Sequence, residues 1–204
     1  MTAVRLPAAE RRRQLLEVAL SKFSTTGFHE TSMNDLAAAA GVTKPVLYQH
    51  FPSKNALYLE LVADVSSRLI ETIRSGATSI DDPRGQIVNG LRAYFAFMSE
   101  QRRAFALLFG RGAPRDRELV AAVRDAEAAV VEAIAELMSS DVAEPRRSAL
   151  AHAIVGMAEG VARHWATTGR HDRLDELAEQ TGALLWNGLG SIVEVPVRAS
   201  SPLR

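Results

Sequence analysis

Apolar residues along this chain recur at every third or fourth position, and no stretch alternates in sustained pairs, so the pattern predicts helices throughout. Leu15, Leu16, Ala19, Leu20 and Phe23 share one face of a first helix. Pro7 suits its opening position, Glu10 its positive dipole end, and Thr25-Thr26-Gly27 its stop. A second helix is expected to begin at Ser32, with Asp35 three residues on as the partner of a capping box, and to end at Gly41. A third, capped by Thr43, runs to about His50, where Phe51-Pro52-Ser53 interrupts it because the residue before a proline avoids helical angles. A long helix over about 54–75 carries Leu57, Leu61, Val65, Leu69 and Ile73 at regular spacing. Further helices are predicted over 83–99, 103–109, 116–139, 145–168 and 173–193, nine in all, with a linker at Gly110–Pro114 and frayed residues from Pro196 onward.

The stretch TSMNDLAAAAGVTKPVLYQHFPSK, from Thr31 to Lys54, carries the most information. Two short helices joined by a tight turn need a small residue where their axes approach, and Ala37 supplies it. Four positions on, the turn needs a residue tolerating positive φ, and Gly41 supplies that. Leu36, Val42 and Leu47 then fill the wedge, as a helix-turn-helix requires. An ordinary helical hairpin also satisfies that spacing, but three features favour DNA. Lys44 in the first helical turn opposes the dipole at a cost of roughly a few tenths of a kcal/mol, which a phosphate or guanine edge would offset. Only three of the 24 Lys and Arg residues are lysines (22, 44 and 54), and two of them bracket this element. Lys44, Tyr48, Gln49 and His50 give one short helix four polar-tipped side chains.

Composition sharpens the picture modestly. At 204 residues the chain can bury about 70% of its unfolded surface, enough for a core without staples. It lacks cysteine, which removes disulfides, thiolate zinc sites and cysteine nucleophiles and fits a reducing cytoplasm. No secretory leader and no membrane span are expected. Net charge is zero, yet residues 1–54 hold seven basic and four acidic residues, a balance of +3, which leaves −3 for the rest.

GVTKPVLYQHFPSKNALYLELV, preceded by TSMNDLAAAA, resembles the DNA-binding segment of the TetR family of transcriptional regulators. The resemblance covers about residues 8–60. It implies an all-α fold with a helix-turn-helix domain over 1–53 and a helical effector-binding and dimerisation domain over 54–204. Carried onto this sequence, Thr43 and Lys44 open the recognition helix, with Lys44 reading guanine. Pro45 and Val46 touch thymine methyls, Gln49 reaches an adenine edge, and Tyr48 and His50 hydrogen-bond phosphates. Lys54 would pin the opposite backbone, Asn34 would be a second base reader, and Ser32 or Thr31 would bond a phosphate through hydroxyl or backbone N–H. Met33 stands where the family often has Arg, Lys or Thr, so the phosphate contact made there in the family is not carried over to this chain. Tyr48 has a second occupation open to it as a packed aromatic, and His50 one as a solvent-facing residue. For Arg11, Arg12 and Arg13 a solvated first turn stands beside phosphate contact.

The resemblance further implies a homodimer on a pseudo-palindromic operator, its recognition helices about 34–36 Å apart or somewhat more. Small residues on adjacent turns (Ala149, Ala153, Gly156, Gly160) and an apolar final helix (Leu177, Leu184, Leu185, Leu189) fit that interface, unless both helices bury in their own subunit. An apolar effector pocket is expected from Tyr94, Phe95, Met98, Phe105 and Phe109, completed by His152, Met157, His164 and Trp165. Its filling would move the helix hinged near Gly110 and Gly112 and change the recognition-helix spacing; repression is the expected direction. No cofactor or metal is expected, since His152 and His164 lie too far apart on one helix to share an ion. An enzyme is the remote alternative, because the chain has no nucleophile elbow, P-loop or dinucleotide-binding glycine pattern. A second alternative is an interaction module without DNA binding, which a salt-dependent gel shift would separate.

Overall fold

A computed structural model of the chain describes residues 6–103, 116–138, 142–168 and 173–193. Among these there are eight helices and no strand: α1 (Ala8–Thr26), α2 (Met33–Ala39), α3 (Lys44–His50), α4 (Lys54–Ala77), α5 (Pro83–Glu100), α6 (Arg117–Leu137), α7 (Arg146–Thr168) and α8 (Leu174–Val193). The short helix expected at 103–109, the Gly110–Pro114 linker and the frayed end from Pro196 fall outside the described residues, save Arg103 itself.

Helix ends follow local chemistry closely. Pro7 occupies the N-cap of α1, one place before the expected position. At α2 the Ser32 hydroxyl accepts from the Asp35 N–H and the Asp35 carboxylate accepts from the Ser32 N–H, the reciprocal capping box that the spacing predicts. Its far end closes on Gly41 at φ 65°, with Val42 N–H donating to the Ala37 carbonyl at 3.0 Å and Gly41 N–H to that of Ala38 at 3.1 Å. Those two bonds are a Schellman motif, and they satisfy carbonyls that the helix leaves orphaned. Thr43 caps α3 by backbone position alone, since its hydroxyl makes no capping bond. The Ser53 hydroxyl accepts from Ala56 N–H and opens α4.

The chain divides into two compact units, residues 1–69 with 100–130, and residues 70–99 with 131–204. In the first, Leu15, Phe23, Leu36, Leu47, Phe51, Leu57 and Leu61 are buried around α1–α4. Each contributes about 1.5–3 kcal/mol by leaving water. In the second, Val88, Leu91, Tyr94, Phe95 and Met98 of α5 are buried, as are Ala151, Ala158, Ala162 and Trp165 of α7 and Ala178 and Leu185 of α8. Close helix approach there rests on glycine: a Cβ at Gly76 would stand 2.6 Å from Ala93 Cβ and 2.8 Å from the Asn89 carbonyl oxygen. Arg92 of α5 reaches Asp175 and Glu179 of α8, and Arg74 pairs with Glu136.

Candidate nucleic-acid interface

α3 is seven residues long and divides cleanly by position. Leu47 is fully buried and anchors the helix, while Thr43, Lys44, Pro45, Tyr48 and Gln49 are exposed and Val46 and His50 half-buried. Positions four apart share a helix face, so Lys44 with Tyr48 and Pro45 with Gln49 form two adjacent outward rows. The Lys44 ammonium lies 5.9 Å from the Tyr48 ring centroid, and Tyr48 stays 41% exposed, so the ring is a surface group and not a core aromatic. A cation, an amide and a phenol thus project together from the start and middle of one short helix. They match acceptors on base edges and on phosphates. Asn34, on α2, is exposed as well.

Other expected phosphate contacts have different partners. Both donors of Ser32 point at Asp35: the hydroxyl to the carboxylate at 2.6 Å, the N–H at 2.9 Å. Those bonds, the hydroxyl's first, hold the Asp35 carboxyl below its ordinary pKa. Thr31 is buried and its hydroxyl donates to the Gly27 carbonyl at 2.7 Å. Lys54 donates to the carbonyls of Phe28 at 2.8 Å and Thr31 at 2.9 Å, its ammonium 4.3 Å from the Phe28 ring centroid. The amines and hydroxyls nearest the start of α2 therefore bond the protein itself.

Arg12 has a role that its place in a basic triplet concealed. Its guanidinium binds both carboxylate oxygens of Glu60 on α4, donates to the His50 carbonyl at 2.7 Å, and lies 4.4 Å over the Phe51 ring. One side chain thus joins α1, the C-terminal end of α3 and α4. Arg11 donates to Gln14 on its own helix, and Arg13 is exposed. Only the tertiary fold brings Glu60 to Arg12, 48 residues away.

Residues 15–61 match the family model for bacterial regulatory proteins of the tetR family, and residues 83–188 that for the tetracyclin repressor-like C-terminal domain. Over 190 residues the chain is 32% identical to the HTH-type transcriptional activator FasR of Mycolicibacterium smegmatis, which covers 92% of this chain and 87% of that protein. The chain belongs to the TetR family. As a TetR-family member it is a helix-turn-helix, DNA-binding transcriptional regulator. A TetR-like transcriptional regulator from Rhodococcus sp. RHA1 has the same fold at a TM-score of 0.73, with 31% identity over 91% of this chain and 99% of that one. FadR from Bacillus subtilis in complex with stearoyl-CoA reaches a TM-score of 0.74 over 86% of this chain and 98% of that one, and its 15% identity speaks for the fold alone.

The second unit places the remaining TetR-type candidates unevenly. Tyr94, Phe95, Met98 and Trp165 are buried and Met157 is half-buried, whereas Phe105 and Phe109 lie outside the described residues. His152 and His164 are exposed, with His152 Nδ1 2.8 Å from the Ser148 carbonyl oxygen. Nothing in an Ala- and Gly-rich helix marks which face looks inward. The Tyr94 hydroxyl is buried without a hydrogen-bond partner among the described residues. Burial, then the nearby Glu159, raises its pKa, opposed by Arg163. Ala149, Ala153, Gly156 and Gly160 are all exposed, Leu184 is 64% and Trp186 38% exposed, and Leu177 is half-buried. Leu185, expected at the interface, is buried within its own chain, and the side chain of Leu189 lies outside the described part.

Proposed function

We propose that this chain binds a two-fold operator as a homodimer and changes its affinity on taking up a small, mostly apolar ligand. The outward rows of α3, Lys44 with Tyr48 and Pro45 with Gln49, carry the DNA half of this reading. One seven-residue helix addresses few base pairs, so useful specificity takes two copies. The exposed stripe of α7 and the exposed Leu184 and Trp186 of α8 are the surface that suits the second copy, since large apolar side chains at the surface mark association. We place reading in residues 1–53, and effector binding and dimerisation in residues 54–204. In this reading the protein is a regulator and not an enzyme, as its relatives' names also indicate.

The buried aromatic surface of α5, with the Tyr94 phenol unpartnered among the described residues, supports a ligand that is mostly apolar and carries a hydrogen-bond acceptor. A fold neighbour is in complex with stearoyl-CoA, whose acyl chain and thioester carbonyl fit that description while its coenzyme A portion does not. α4 is one unbroken helix from Lys54 to Ala77, so a ligand favouring one arrangement of α4 shifts the population that fits the operator. The direction of control depends on where the operator lies. Repression follows family habit, but a relative aligned along nearly the whole chain is named an activator, and that favours activation here.

Selection from a random duplex pool with the wild-type chain tests the reading. The expected product is an inverted repeat whose retention falls steeply with salt, and acyl thioesters or free fatty acids are expected to alter that retention. Recovery of no preferred sequence would refute the reading. A promoter–reporter fusion carrying the selected site then decides the sign.

A further inference from the structure

The bonds of Lys54 reach beyond its own helix. Both carbonyls it holds belong to the loop between α1 and α2, and Thr31 immediately precedes Ser32, the cap of α2. Phe28, beneath the ammonium, is buried against Phe23 and Tyr58, with ring centroids 5.3 and 5.1 Å away. Tyr58 is itself one turn beyond Lys54 on α4, so the loop is gripped twice by the same stretch of helix. Two of the three ammonium hydrogens are directed at those carbonyls. Glu60 lies six residues further along α4, roughly 120° round the helix, and there Arg12 fastens α1 and the end of α3.

We propose that Lys54 is a positioning residue and not a phosphate contact. It fixes the start of α2 against α4 from one flank while the Arg12–Glu60 pair fixes α1 and α3 from another, so that the reading helices and the first turns of α4 move as one piece. This rests on the DNA-reading role of α3 given above. A lysine on a phosphate and a lysine on a loop both weaken DNA binding when removed. They differ in salt dependence, because only the former displaces counterions.

Lys54→Met keeps the aliphatic stem over Phe28 and removes the donors. Its affinity for the duplex selected by the wild type is measured across salt concentrations, well below its thermal midpoint. The expected result is a Kd raised about tenfold or more, from fewer correctly set heads, with the wild-type slope of log K against log salt. A slope reduced by about one per chain would show a phosphate contact and overturn the proposal. An unchanged Kd, with or without a lower midpoint, would leave Lys54 no part in reading and overturn it equally. Phe28→Leu leaves the ammonium in place and removes its floor, and it serves where Lys54→Met does not fold. A raised Kd at wild-type slope supports the proposal and an unchanged Kd overturns it. Where both variants fold, the double variant should be markedly less than additive, and additivity would sink the coupling. A wild type that selects no duplex would instead defeat the regulator reading, and this inference with it.

Discussion

Lys44 begins a helix whose first turn holds no acidic residue, so its charge is placed against the dipole, and its approach to the Tyr48 ring at 5.9 Å offsets that cost at most in part. Lys44→Ala should therefore cost about 1–3 kcal/mol of operator affinity and relax discrimination at a single base pair, while the thermal midpoint holds or rises slightly. Competition among single-position operator variants, beside a melting curve, checks both halves. Ser32 and Asp35 show the opposite balance, with every donor turned inward on the cap of α2. Ser32→Ala should lower stability by about 1 kcal/mol. Because the Asp35 pKa is depressed on folding, its contribution is present above the unfolded value and lost as pH falls through the folded one. Urea unfolding should thus show the Asp35 contribution intact at neutral pH and fading only below about pH 4, an acid limb that Asp35→Asn flattens. An identical limb in that variant would contradict the assignment.

Helices are bounded by short-range chemistry but joined by long-range contacts, and that difference decides what the amino-acid order reveals. The capping box at Ser32, the Gly41 turn and the break at Pro52 depend on neighbours within about five residues, and all are legible from the chain. The Arg12–Glu60 pair and the Lys54 bonds span 48, 26 and 23 residues, and no local spacing announces them. The inward face of α7 is illegible for another reason: Ala and Gly occupy both of its sides, so no spacing shows that His152 and His164 are exposed. Gly76 makes the packing between α4 and α5 testable. Its missing Cβ faces Ala93 Cβ and a backbone carbonyl on the neighbouring helix, whereas that of Gly182 faces a Val88 methyl and meets no backbone atom nearer than 3.5 Å. Gly76→Ala should cost about 1–3 kcal/mol, or several degrees in melting temperature, and Gly182→Ala less. Equal losses would show that the Val88 methyl yields no more readily than the Asn89 backbone.

At the scale of the whole molecule, the stripe on α7 offers a test in which helix propensity and assembly pull in opposite directions. Gly156 and Gly160 are exposed, and a Cβ at either would meet nothing within 4 Å inside the chain. Were the chain to act alone, each Gly→Ala change would stabilise α7 by about 1 kcal/mol through propensity. If the stripe seats a second copy, the same methyl groups enter a contact built around bare backbone, and close packing tolerates added volume poorly. The double replacement Gly156→Ala with Gly160→Ala should therefore raise the dimer dissociation constant, seen by sedimentation across a concentration series, while far-ultraviolet helicity is kept or increased. Leu184→Arg should act in the same direction through α8, because it puts a charge where an exposed leucine would be covered. Both variants should retain weak affinity for a single half-site and lose the gain that two linked half-sites provide. A double-alanine chain that is more stable and still fully dimeric would place the interface elsewhere, and the exposed Leu184 and Trp186 would then need another partner.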